Sequence, residues 1–182
     1  MIRKLVFLLL VLTAGCATVS QPTRYYTVDM TCSGETVCPR SVVVERLRVV
    51  DPLTRRNIMV KTSSTQIEYY ARAEWAAPVD DLVAQKLQTE LGESGSTENA
   101  YALTGTVLVF EQVDHPQSPE AYAKVRVVVR EREKRPLVTV LEKTYEARMP
   151  MASATPADAA VALSRALEQI AQAIASDLSQ VQ

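Results

Sequence analysis

The chain has 182 residues, of which 47% are hydrophobic and 23% are charged, and its formal net charge at pH 7 is −1. This hydrophobic fraction is too high for a largely disordered chain, and the near-neutral charge lacks the strong basic excess of a nucleic-acid-binding domain. The length suits one ordinary domain with its own core.

The N-terminal end of the chain has the organisation of a bacterial secretory signal. Arg3 and Lys4 give it a short cationic start, and residues 5–12 are an unbroken apolar run. Crossing a bilayer as a helix takes roughly 20 apolar residues, so this run is too short to be a membrane span. We therefore expect residues 1–15 to be a signal peptide that is cleaved off.

A cysteine follows directly after Ala14 and Gly15. This small-residue ending resembles the lipobox of bacterial lipoproteins, which implies that Cys16 is acylated and begins the mature chain. Each acyl methylene buried in the bilayer contributes about 0.8 kcal/mol of binding free energy, so acyl chains hold a protein on a bilayer without any helix. Residues 16–23 are small and polar and would form a lipidated tether. The alternative is an ordinary secreted protein with a chance cysteine at this position.

The residue after the predicted anchor bears on which membrane the protein occupies. By resemblance to the sorting of bacterial lipoproteins, an aspartate at that position retains the protein at the inner membrane. Here the residue is Ala17. We therefore expect the periplasmic face of the outer membrane.

Two further cysteines, Cys32 and Cys38, form an even pair in what would be an oxidising compartment. The intervening residues 33–37 include a glycine, and Pro39 follows, so the chain could turn back and bring the two thiols together. We expect a disulfide. A metal pair or a redox pair is less well supported, because no His or Cys cluster lies nearby and the spacing is not C-x-x-C.

The first half of the domain has the alternation and the β-branched residues of strands. A change of parity near Arg46 predicts a β-bulge. The short polar run at residues 62–65 separates two apolar segments and predicts an antiparallel hairpin. The expected strands cover residues 24–30, 41–50, 58–61 and 66–70.

A first helix is expected after the only tryptophan of the chain, Trp75. Pro78 suits the first helical position, where its missing amide costs nothing, and Asp80 and Asp81 suit the first turn. Gly92 is placed to end the helix. The predicted buried stripe has helical spacing and consists of Val79, Leu82, Val83, Leu87 and Leu91.

The second half of the domain alternates over three long segments, which predicts a β-meander over residues 101–113, 121–130 and 137–147. A long helix then begins at Thr155 and Pro156, which provide a capping hydroxyl and a first-position proline. Apolar residues recur along it at helical spacing up to Leu178. The predicted fold is α+β, a mainly antiparallel sheet covered by two helices in a single domain.

No arrangement of residues indicates catalysis. The only histidine, His115, lies in a proline-flanked loop without a nucleophile or metal-ligand pattern around it. Asp80 and Asp81 are adjacent, so on a helix they point about 100° apart and cannot act as a carboxylate dyad. We expect a protein that is not an enzyme and has no cofactor and no metal site.

Trp75 has two interpretations. A lone tryptophan most often anchors a core, here by packing the start of the helix on the sheet, and we favour that interpretation. The alternative is a contact surface formed by Trp75 with Tyr69 and Tyr70, which precede it closely.

Taken together, these segments resemble the ABC-type transport auxiliary lipoprotein components. The resemblance rests on the lipobox at Cys16 and on the RYYTVDM segment at residues 24–30 that follows it. It also rests on the order of strand, strand, tryptophan, proline and helix across residues 56–91, and on the alanine-rich C-terminal helix. No single motif is diagnostic, so the weight lies in their order along residues 24–182, which would form the auxiliary lipoprotein domain.

The resemblance implies a non-catalytic, lipid-anchored component of an MCE/ABC-type envelope lipid transport system. Its partners would be a periplasmic MCE-domain protein and, through it, an inner-membrane permease and ATPase. It would dock the periplasmic conduit at the outer membrane, in the form of a homo-oligomeric ring. The rival hypothesis is an accessory lipoprotein of envelope assembly or cell-wall synthesis that is unconnected to transport.

Overall fold

The computed structural model describes residues 21–34, 38, 41–92, 100–115, 118–134 and 136–181. The predicted signal peptide, Cys16 and residues 17–20 of the predicted tether lie outside the described residues. Within them, no helix combines the length and the apolar character that a membrane crossing requires.

Seven strands and two helices make up the described fold. The strands are β1 (Arg24–Tyr26), β2 (Val42–Val49), β3 (Asn57–Lys61), β4 (Ile67–Trp75), β5 (Tyr101–Val113), β6 (Glu120–Glu131) and β7 (Thr139–Pro150). The helices are α1 (Val79–Leu91) and α2 (Pro156–Ser179), and a 3₁₀ turn, Asp51–Thr54, joins β2 to β3. The α+β class predicted from the sequence is confirmed.

The sheet is mixed, which corrects the expectation of a mainly antiparallel one. The hairpin β3–β4 and the meander β5–β6–β7 are antiparallel as predicted. The pairs β1–β4, β2–β5 and β3–β5 are parallel. Each parallel pair joins strands that are distant in sequence, and such pairings leave no turn signal in the chain.

Strand β5 is the centre of the sheet. One of its edges pairs with β6 over its whole length. Its other edge is divided, because β2 pairs with the first half, from Tyr101 to Val107, and β3 pairs with Gln112 and Val113 at the end. The bulge predicted near Arg46 is confirmed as a register shift between Val44 and Leu47.

Both helices cover the same face of the sheet. Helix α1 contacts β2, helix α2 contacts β6 and β7, and the helices contact each other. On β6 the residues toward the helices are buried, whereas Lys124 and Arg126 point to the opposite face. We call this opposite side of β2, β5, β6 and β7 the open face. The buried residues of β6 are Ala121, Ala123, Val125, Val127 and Val129.

The helix ends follow the signals in the sequence. Helix α1 begins at Val79, one residue later than expected, because Pro78 keeps an extended ψ of 146°. The amide of Gly92 donates to the carbonyl of Gln88 at 2.8 Å and ends the helix. At α2 the Thr155 hydroxyl accepts from the amide of Asp158 at 3.2 Å, which is the predicted cap.

The segment after β1 differs from the expected strand over residues 24–30. Strand β1 ends at Tyr26, and the chain then leaves the sheet and passes beside α2. Val28 is fully buried there, and the amide of Asp29 donates to the hydroxyl of Ser164 on α2 at 2.8 Å. Burial against the helix therefore replaces strand pairing in this segment.

Candidate functional site

A buried ion cluster connects the N-terminal segment to both helices. The ammonium of Lys86 on α1 is fully buried and donates to Glu90 at 2.8 Å, to Glu168 on α2 at 2.9 Å and to the carbonyl of Thr31 at 2.7 Å. Glu90 in turn accepts from the hydroxyl of Ser33 at 2.6 Å. The cluster thereby holds Thr31 and Ser33, which follow β1, on the helical layer.

The charges of this cluster are mutually stabilised. Burial lowers the pKa of Lys86, but its hydrogen bonds and charge interactions with Glu90 and Glu168 outweigh burial and raise that pKa overall. Burial raises the pKa of Glu90, but the bonds from Lys86 and Ser33 outweigh it and lower that pKa overall. Both side chains therefore stay ionised at neutral pH, as buried charges do when they are paired.

The buried ion pair of Lys86 was not predicted from the sequence, although the position of Lys86 in the sequence indicated it. Lys86 lies seven residues after Val79 and next to Leu87, on the apolar stripe that predicts α1. A lysine on such a stripe with a glutamate four residues later is easily taken for an exposed pair. Its position on the buried face was the feature that indicated a buried pair.

The three aromatic residues considered as a contact surface have three separate surroundings. Trp75 is 1% exposed and packs against Phe110 with ring centroids 5.2 Å apart. The Tyr69 hydroxyl donates to the carbonyl of Pro52 at 2.9 Å. The Tyr70 hydroxyl lies 3.0 Å from Gln112 Oε1, and burial raises its pKa.

This arrangement separates the three aromatic residues, and a contact role for Tyr69 and Tyr70 stays a prediction. Trp75 is a core residue, which confirms the favoured interpretation. Tyr69 and Tyr70 are half-buried and held by bonds within the domain. They do not join Trp75 in one exposed patch.

The two cysteines expected to form a disulfide are free thiols in the structure, with Cys32 exposed and Cys38 buried. Burial raises the pKa of Cys38 to about 11, so its thiol is protonated and unreactive at neutral pH. The structure thus departs from the expected bridge between Cys32 and Cys38.

The bridge stays a prediction for protein taken from the oxidising periplasm. Alkylation with and without prior reduction, followed by mass measurement, tests it. We expect Cys32 and Cys38 to be alkylated only after reduction. Two thiols that are modified in the denatured protein without any reductant would show that the pair is not bridged.

The open face carries a ladder of opposite charges. Lys124 on β6 pairs with Glu146 on β7 at 2.8 Å, and Arg126 pairs with Glu142. The Tyr122 hydroxyl also donates to Glu146, at 2.8 Å. Such exposed cross-strand pairs contribute little to stability, but they keep the outer strand β7 polar.

A cavity of about 410 Å³ lies where the β3–β4 turn approaches the end of β5. Its wall includes the buried side chain of Glu111. Burial raises the pKa of Glu111, although the positive charges of Lys61 and Arg148 act to lower it. His115 lies at the rim and contacts Glu120 at 3.2 Å. The same wall contains the basic side chains of Lys61 and Arg148 and the hydroxyls of Thr62, Ser63 and Ser64.

The described part of the chain contains no group of three or more His, Cys, Asp or Glu side chains that could bind a metal ion.

The family model described as "ABC-type transport auxiliary lipoprotein component" matches residues 30–175. A search of curated proteins gives no significant match.

Two solved structures share the fold. Protein XCC0632 from Xanthomonas campestris, assigned to family DUF330, is 19% identical, with a TM-score of 0.67 over 86% of this chain and 95% of its own. A second, described as an uncharacterized protein, is 15% identical, with a TM-score of 0.66 over 87% of this chain and 99% of its own. At these identities the likeness concerns the fold alone.

Proposed function

This chain belongs to the ABC-type transport auxiliary lipoprotein component family, and from that premise we propose that it is the non-catalytic, lipid-anchored periplasmic component of an MCE/ABC-type envelope lipid transport system. In this role it docks the periplasmic conduit at the outer membrane. The transport energy comes from the ATPase of that system. The single observation that carries the proposal is the family match over residues 30–175.

The buried ion cluster supports a role in which the anchor bears load. The lipid at Cys16 connects to the domain through a short tether, and the chain then enters the domain at β1. Lys86 and Glu90 bind the backbone of Thr31 and Ser33 directly. A pull on the tether therefore acts first on the pairing of β1 with β4, and the ion cluster holds the chain that follows β1 on both helices.

The anchor itself is tested by substitution of Cys16 with alanine. We expect a folded protein that no longer associates with the membrane, because the acyl chains contribute attachment and no core burial. Metabolic labelling with a fatty acid, followed by membrane fractionation, measures both properties. If the Cys16→Ala protein still takes up label, the lipidated residue has been assigned wrongly.

Self-association is the second part of the proposal, since a conduit can be docked by a ring of identical subunits. Light scattering of the detergent-solubilised lipoprotein over a range of concentrations measures its mass. We expect an oligomer that persists on dilution. A mass that stays that of one chain plus its detergent at every concentration would exclude the ring.

A further inference from the structure

A groove of about 370 Å³ crosses the open face between β2, β5 and β6. The register of the sheet places Arg48, Thr106 and Arg126 side by side in one row across these three strands. Neighbouring strands are about 4.8 Å apart, so the two arginines rise on either side of the threonine. Arg46, Thr104, Gly105 and Val128 complete the lining.

The bulge in β2 places Arg46 and Arg48 on the open face although Val44, an even number of residues before them, packs toward the core. The register shift between Val44 and Leu47 inserts one extra residue while Leu47 stays buried. Arg46 and Arg48 are both exposed and both line the groove. In a regular strand they would also share a face, but Leu47 and Val44 could not then both lie toward the core.

The charged residues that line the groove are all positively charged. Among the residues that the structure describes, no carboxylate lines it, whereas the cavity at the end of β5 contains acids as well as bases. Arg126 is paired with Glu142, and Arg130 donates to the Thr104 hydroxyl at 3.4 Å. Among the described residues, none lies within hydrogen-bond or ion-pair distance of the guanidinium of Arg46 or Arg48.

We propose that this groove binds a phosphate group, carried either by a lipid headgroup or by a soluble phosphate compound. The planar guanidinium forks of Arg46 and Arg48 match the oxygens of a phosphate and can donate two bonds each. The Thr106 hydroxyl on the floor supplies a further donor. This inference rests on the groove alone and does not depend on the proposed function.

The test is titration calorimetry of the full lipoprotein in a phosphate-free, uncharged detergent at low salt. The probes are inorganic phosphate and, in a separate arm, dihexanoyl phosphatidylglycerol. The protein should bind at least one of them, and the double variant Arg46→Ala/Arg48→Ala should bind it at least about tenfold more weakly, since charge-assisted hydrogen bonds are the strong ones.

The matched control is Arg72→Ala/Arg165→Ala, which removes the same charge from exposed sites that do not line the groove. It should bind as the unaltered protein does. Thr106→Val keeps charge and shape and should weaken binding about threefold, an effect that loss of general charge attraction cannot produce.

The pattern of binding identifies the source of the phosphate. Binding of both probes assigns recognition to the phosphate itself, and binding of phosphatidylglycerol alone assigns it to a lipid headgroup. Thermal unfolding of each variant confirms that it is folded. The proposal is overturned if neither probe binds, or if both arginine double variants lose affinity equally.

Discussion

Replacing Lys86 with alanine is expected to destabilise the domain by about 3–5 kcal/mol, because it leaves the buried carboxylate of Glu90 without its partner. The side chain of Glu90 is fully buried, and that of Glu168 is largely so. The carbonyl of Thr31 also loses its donor. Urea unfolding at pH 7 measures the change in free energy.

The matched control is Lys124→Ala. It removes an ion pair with Glu146 on the open face, whose N–O distance of 2.8 Å equals that between Lys86 and Glu90. Water solvates both groups there, so stability should remain close to that of the unaltered protein. An equally small effect of Lys86→Ala would show that the buried cluster does not hold the N-terminal segment in place.

The pH dependence of the cluster gives an independent check. The folded-state pKa of Glu90 is lowered, so its stabilisation is present above its unfolded value of 4.5 and is lost as the pH falls through the folded value. The pKa of Lys86 is raised, so its contribution is present below 10.5 and is lost as the pH rises through the folded value. The difference between the unaltered protein and Lys86→Ala should therefore narrow below pH 4.5.

Substitution of Trp75 by alanine is the second change with a large expected effect, about 3–5 kcal/mol, as for other buried tryptophans. Trp75 ends β4 and packs against Phe110 of β5, so its removal opens a cavity between the sheet and the start of α1. Circular dichroism during urea unfolding measures this effect, because the variant has no tryptophan left to report by fluorescence.

Two comparisons make the Trp75 result specific. Trp75→Phe keeps a ring against Phe110 and should lose clearly less stability than Trp75→Ala. Tyr25→Ala removes an aromatic ring that is 65% exposed and should change stability little. If Trp75→Ala were as mild as Tyr25→Ala, Trp75 would not be the core anchor described above.

Local signals allowed much of the fold to be predicted from the sequence. The cap formed by Thr155 and Asp158, the hairpin β3–β4 and the bulge before Leu47 each depend on a few neighbouring residues. The β-meander likewise joins strands that are consecutive in the chain. In these cases the residues that cause the structural feature lie close together in the chain, so a short segment of sequence is enough to predict it.

The remainder depends on contacts between distant segments. The parallel pairing of β2 with β5 joins Val42 to Tyr101, and no local pattern specifies that partner. The burial of Lys86 depends on Glu168, which lies on the other helix. The row of Arg48, Thr106 and Arg126 forms only once three strands are in register, so the groove could not be found before the sheet was known.

This lipoprotein is proposed to work by direct contact with the proteins of an envelope transport system. The direct measurement is crosslinking in intact cells with photoreactive residues at exposed positions such as Tyr25 and Leu137, followed by identification of the captured proteins. The Cys16→Ala protein serves as the unanchored control. Capture of an MCE-domain protein by the anchored form, with much weaker capture by the control, is the predicted result. Capture of cell-wall-synthesis or outer-membrane assembly proteins, with no MCE-domain protein at any position, would contradict the account.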